Sequence, residues 1–143
     1  MICKWIEKAA CSMVHEISPL NAVQTETIVD AIRKRFTKHV NKSENIWEDF
    51  IDDVSLKCED GWKIACEFPE HEPILIFRDK NSYFGYCISS TKLMKHLLGE
   101  CPGFEFYITN KTVNFVLCFN HHDYLIGVGE CKKWIKMIEN IKS

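Results

Sequence analysis

The sequence predicts an α+β fold: a mostly antiparallel sheet of about five or six strands, with helices ahead of it, one helix inserted and one closing the chain. Three observations lead there. Apolar residues recur at helical spacing up to about Asp52, the pattern turns to strand alternation after Gly61, and the links between expected strands are hairpin-length. Parallel strands need crossovers of a dozen residues or more, so short links mean antiparallel pairing. Helices set apart from such a sheet define the α+β class.

The elements follow in order. Ile2, Trp5, Ile6, Ala9, Ala10, Met13, Val14 and Ile17 share one helix face, with Lys4, Lys8 and Glu16 on the other, and Ser18-Pro19 ends that helix. A second helix is expected from about Thr25 to Phe36, with Ile28, Ile32 and Phe36 aligned and Arg33, Lys34 and Arg35 near its C-terminal end, where cations suit the helix dipole. Ser43 can cap a short third helix to about Asp52, whose apolar face is Ile46, Trp47, Phe50 and Ile51. Trp62–Phe68 is a mixed segment. Pro73–Arg78 holds four successive apolar residues and reads as a central strand covered on both faces. Tyr83–Ile88 is the next strand; Ser89, Ser90 and Thr91 offer a cap for a helix that Gly99 ends.

The clearest alternation in the chain is Phe104, Phe106 and Ile108 against Glu105, Tyr107 and Thr109. Asn110-Lys111 then makes a tight connection to a strand over Thr112–Phe119. Asn120–Asp123 is a turn, Tyr124–Val128 a short last strand, and Glu130–Ile141 an amphipathic helix with Cys131, Trp134, Ile135, Ile138 and Ile141 inward.

With 143 residues, 46% of them hydrophobic, the chain reads as one domain spanning 1–143 with a full core. The longest apolar runs, around Ile74–Phe77 and Val116–Phe119, fall far short of the ~20 residues of a membrane helix. No secretory leader pattern opens the chain, so a cytoplasmic location is expected. A net charge of −2 argues against a generally basic nucleic-acid binder. The eight cysteines contain no CxxC spacing and sit mostly where periodicity asks for small apolar residues, as at Cys87 and Cys118. They are expected to be reduced core residues.

The charges are unevenly spread. Residues 1–43 carry +3, residues 44–72 carry −8 and residues 73–143 carry +3. The acidic block is either a solvated face or a surface for a basic protein, which clustered carboxylates steer into contact. Its candidate partner-binding residues are Glu44, Trp47, Glu48, Asp49, Asp52, Asp53, Glu59 and Asp60. Trp47 and Trp62 are equally readable as interface anchors or core.

Other motifs point less far. His121-His122-Asp123 is the one run of potential metal ligands, but adjacent strand residues face opposite sides, and a turn with Asn120 and Asp123 bonding the backbone explains it without an ion. Gly127-Val128-Gly129 before the last helix fits a phosphate cradle or a tight strand-to-helix turn, and a P-loop lysine is missing. Lys132, Lys133 and Lys136 form a basic helix side, readable either as a small positive patch together with Arg33, Lys34 and Arg35 or as an ordinary solvated face. No signature places a Cys nucleophile beside a His base. No catalytic residue, metal or cofactor is therefore assigned, and the chain is expected not to be an enzyme.

The run from Phe104 to Lys111 (FEFYITNK) and the run from Leu117 to Glu130 (LCFNHHDYLIGVGE) resemble a bacterial family of small proteins with an EFY strand and an NHHDxLxGxG turn. That family in turn resembles the SUKH superfamily, the α+β domain shared with a yeast cell-wall-synthesis regulator. Trp47, Asp60 and Trp62 are similar as well, and the likeness covers about residues 60–130. It implies a non-catalytic immunity protein that neutralises a toxin, commonly a nuclease, and a fold-defining role for His121, His122, Asp123, Gly127 and Gly129. The alternative is a structural or regulatory interaction domain with no toxin partner.

Overall fold

The computed structural model describes residues 4, 6–8, 16–38, 44–101 and 103–142. Seven strands form one sheet in the order β1-β4-β3-β5-β6-β7-β2, with every neighbouring pair antiparallel. The strands are β1 (Ile17–Pro19), β2 (Val54–Lys57), β3 (Ile74–Asp79), β4 (Ser82–Ile88), β5 (Phe106–Thr109), β6 (Phe115–Phe119) and β7 (Tyr124–Gly129). The helices described from end to end are α1 (Ala22–Phe36), α2 (Gly61–Ala65), α3 (Thr91–Gly99) and α4 (Lys132–Lys142), with a 3-10 turn over Ile46–Asp49. The α+β class and the antiparallel sheet are as expected, but there are seven strands, not five or six.

The two extra strands are the edges, and both come from the N-terminal part of the chain. The helix expected over residues 2–17 lies largely outside the described residues; Lys4 and residues 6–8 are helical and Ile6 is fully buried. Ile17 and Ser18 are not its end but part of β1, paired with Ile88 and Cys87. β2 carries no clear sequence signal because it is four residues long, and its alternation of Val54 and Leu56 with Ser55 and Lys57 is too short to stand out.

Between these edges the chain crosses one face of the sheet. There α1 and the 3-10 turn cover Ile74, Ile76, Tyr107, Val116, Cys118, Ile126 and Val128 through Val29, Ile32, Ile46 and Phe50. The other face holds Leu75, Phe77, Tyr86, Phe106, Ile108, Phe115, Leu117, Phe119 and Leu125 under α2, α3 and α4. Aromatic rings bridge that layer: Phe68 lies 4.7 Å from Phe115 and 5.2 Å from Trp134 between ring centroids. β5 and β6 are buried at every position, because both their faces are covered.

Local chemistry explains the remaining differences. α1 begins at Ala22, earlier than expected, because Asn21 and Gln24 close a reciprocal capping box at 2.8 and 3.0 Å. The third helix is only a 3-10 turn. Phe50 leaves it in extended conformation to bridge Thr37, and the Ile51 N–H donates to the Phe36 carbonyl, so tertiary pairing wins over another helical turn. Ser43, its expected cap, lies outside the described residues. Trp62–Phe68 resolves into α2 and a following turn. The β5–β6 connection is wider than the two residues expected, running through Val113 at φ 50°, whose carbonyl accepts from the Arg35 guanidinium at 2.8 Å. Ser90 caps α3 as expected, accepting from the Leu93 N–H at 3.1 Å.

The glycines before α4 form a strand-to-helix turn. The space beside Gly127 is filled: an added Cβ would sit 2.3 Å from Ile135 Cδ1 and 2.8 Å from Cys131 Sγ. Gly129 has φ +77°, and a Cβ there would meet the Asn114 carbonyl oxygen at 2.4 Å. That oxygen already accepts the Glu130 N–H at 3.0 Å. Gly129→Ala is therefore expected to destabilise by at least about 2 kcal/mol. Gly103→Ala, where nothing lies within 4 Å, should change little. Chemical denaturation of the two variants checks the contrast.

Candidate functional site at the sheet rim

One end of the sheet gathers the β3–β4 turn, the start of β5 and the β6–β7 turn, as the pairings Asp79–Ser82, Phe106–Phe119 and Lys57–Tyr124 require. At this rim a cavity of about 300 Å³ is lined by Asn45, Arg78, Tyr83, Glu105, Tyr107 and His121. It joins residues that the sequence presents separately: the start of the acidic block and the His-His-Asp turn.

Glu105 is the hub. Its Oε1 accepts the Trp47 indole N–H at 2.9 Å, and its Oε2 accepts the His121 backbone N–H at 3.1 Å and faces His121 Nδ1 at 2.9 Å. A carboxylate only accepts, so Nδ1 carries the proton in this pair. The Trp47 ring lies edge-on to both imidazoles at 6.1 Å, and the two imidazoles are 3.9 Å apart. The adjacent histidines thus stand together, as residues of a turn can. Asn120 builds that turn. Its buried side-chain oxygen accepts from the His122 and Tyr124 N–H groups, both at 3.0 Å, while Asp123 takes a left-handed φ of 63°. Among the described residues no group of three or more His, Cys, Asp or Glu is placed to hold a metal ion.

Two phenols set the cavity floor. The Tyr107 hydroxyl accepts the Trp47 backbone N–H at 3.2 Å, and the Tyr83 hydroxyl donates to the Glu44 carbonyl at 2.8 Å. Burial pushes the Tyr107 phenol well above its ordinary range and raises Tyr83 as well, so both keep their protons. Arg78, at the end of β3, reaches the Glu44 carboxylate at 3.3 Å. Of this constellation, the sequence singles out Glu44, Trp47 and His121. Arg78, Tyr83, Glu105 and Tyr107 stand in strand alternation, which marks their faces but not their convergence.

The acidic block divides. Glu44 and Trp47 lie at the rim, and Glu48 accepts from the Asn45 side chain at 2.7 Å. Asp49 and its neighbours cross the α1-covered face, where the Asp49 carbonyl accepts the Lys38 N–H. Asp52 and Asp53 precede the edge strand β2; Glu59 and Asp60 follow it, and all four are exposed. Glu67, Glu70 and Glu72 belong elsewhere, beside Lys95, Asn110 and Lys111 respectively. Within the candidate set, Asp52 lies 2.7 Å from Lys132 and Asp60 3.9 Å from Lys63. The hydrogen bond and charge of Lys132 hold the fully exposed Asp52 carboxyl below its usual range. Exposed pairs of this kind add little to stability. Of the basic residues that the sequence sets on α1 and α4, Arg33 is buried and Lys132 pairs with Asp52.

The pattern of DUF6756, a family of unknown function, matches residues 2–142. The chain belongs to DUF6756. No curated protein and no solved structure matches this DUF6756 chain. Among its described residues no helix is long and apolar enough to cross a membrane.

The described cysteines are not joined in disulfides, and Cys66, Cys118 and Cys131 are buried; Cys3 and Cys11 lie outside the described residues. Burial pushes the Cys66 and Cys131 thiols up to about 12 and Cys118 well above its ordinary range. At pH 8 the folded protein should therefore leave these three unalkylated by iodoacetamide, whereas denatured protein should react at all of them, as read by peptide mass mapping. Glu105→Ala strips acceptors from Trp47 and His121 and should cost about 1–3 kcal/mol in chemical denaturation, with a smaller loss for Glu105→Gln.

Proposed function

We propose that this DUF6756 chain is a non-catalytic binding protein of the immunity type, SUKH-like in fold, acting in the cytoplasm. It docks its acidic surface on a basic toxin domain of nuclease class and covers that domain's active site. The observation that carries this reading is the placement of Glu48, Asp52, Asp53, Glu59 and Asp60, which stay solvent-exposed while Ile46 and Phe50 sink into the core between the rim and the β2 edge. Apolar anchors hold the segment to the sheet and its carboxylates face outward, as a surface for a cation-rich partner requires. Trp47, half-buried and fixed by Glu105, gives the same surface a rigid aromatic edge.

The test pairs the protein with the product of the gene immediately upstream of its own. Co-expression should restore growth to cells that make that product, and the two should associate in vitro. Changing Glu48, Asp49, Asp53 and Glu59 together to Lys should lower the association rate by about tenfold or more at low salt, with the difference shrinking as salt rises. An unchanged rate refutes the electrostatic part. Binding without rescue favours a regulatory interaction domain over immunity.

A further inference from the structure

The acidic residues at the sheet margin bracket a strand that ends the sheet formed by the described residues. β2 pairs only with β7 among the described strands. Which of its backbone groups point outward follows from two bonds. The Cys58 N–H donates to the Asp123 carbonyl at 2.9 Å, so Cys58 faces β7. The Asn120 N–H donates to the Tyr124 carbonyl at 3.1 Å, so Tyr124 faces β6 and the next residue, Leu125, faces β2, opposite Leu56. Both bonds agree: Val54, Leu56 and Cys58 point their N–H and C=O groups into the sheet, and Ser55 and Lys57 point theirs away from it. The Val54 and Leu56 side chains pack against the core under α4, which fixes the strand in this register.

The opposite edge offers much less. β1 is three residues long and ends in Pro19, which has no N–H to give. Around β2, residues 52–60 carry four carboxylates and one lysine, and the lysine, Lys57, is turned over the Tyr124 ring at 5.5 Å.

We propose that β2 is the docking strand of this surface: an extended, lysine- or arginine-bearing segment of a partner protein adds to it through the Ser55 and Lys57 backbone, flanked by Asp52, Asp53, Glu59 and Asp60. Main-chain hydrogen bonds supply the pairing and the flanking carboxylates select the basic strand. This rests on the acidic-surface reading above and specifies how that surface engages.

The probe is a short synthetic peptide alternating lysine and threonine, compared with one alternating glutamate and threonine, added to the whole protein at low salt. Amide exchange at Ser55 and Lys57, followed by NMR, should slow severalfold with the basic peptide and stay unchanged with the acidic one. Ser55→Pro removes an outward N–H without touching the β7 ladder and should abolish the effect; Lys57→Pro does the same from the next outward position. Unchanged exchange at both amides of the unmodified protein overturns the inference, and this readout stands even if a proline variant fails to fold. The upstream gene product separates the two claims. If carboxylate reversal slows its association while Ser55→Pro leaves its affinity intact, the edge-strand mode fails and the acidic-surface reading survives. If neither change has an effect, both fail.

Discussion

The structure depends on one constraint: its central strands are apolar on both faces. β5 and β6 alternate Phe106, Ile108, Phe115, Leu117 and Phe119 on one side with Tyr107, Val116 and Cys118 on the other. Each large apolar side chain left in water forgoes ~1.5–3 kcal/mol of burial, so both faces must be covered. The C-terminal part of the chain supplies cover for one face only. The other is covered by the N-terminal part, which leaves β1 at one edge, crosses as α1 and the 3-10 turn, and returns to the sheet as β2 at the far edge. The rim cavity, the exposed acidic loop and the open β2 edge are all products of that crossing.

The same magnitudes say what holds the acidic segment in place. Its ion pairs are exposed, with 82% of the Glu44 and 87% of the Asp52 side chain accessible, and pairs so solvated add little. Ile46 and Phe50, at 0% and 7%, anchor it far more strongly. The depressed Asp52 acidity works in one direction: its stabilising contribution is present above the ordinary carboxylate range and fades as pH falls through the lowered value. Full exposure keeps that contribution small. The carboxylates are thus a property of the surface and not a support of the fold.

Much of the fold was legible because burial imposes periodicity. β3, β4, α3 and β7 fall within a residue or two of their expected limits, and Ser90 caps where a serine before an apolar run should. What escaped was set by pairing rather than period. Three or four residues at a sheet edge, such as Ile17–Pro19 and Val54–Lys57, carry too little alternation to register, and their partners lie far along the chain. At the candidate site, Trp47 and the His121-His122 turn were visible as unusual residues. Glu105 was visible only as the polar partner in an alternating strand. Its role as common acceptor depends on the β5–β6 register and on where the 3-10 turn lands, and neither is written in local sequence.

The charges around β2 also bear on what the edge excludes. An open strand pairs as readily with its own copy as with a partner unless something intervenes. Antiparallel self-pairing through the outward groups of Ser55 and Lys57 would centre on Leu56. That register sets Asp52 and Asp53 of one copy against Asp60 and Glu59 of the other, so like charges meet at both ends of the contact. A lysine-bearing strand in the same place meets opposite charges at the same positions. In the proposed docking mode one set of carboxylates would discriminate in both directions, and specificity of this kind needs the repulsive half as much as the attractive one. The proposed mode is compatible with the fold because the stabilising contacts of the segment are apolar and elsewhere: Ile46 and Phe50 fix the backbone, and Glu48, Asp52, Asp53, Glu59 and Asp60 stay at the surface.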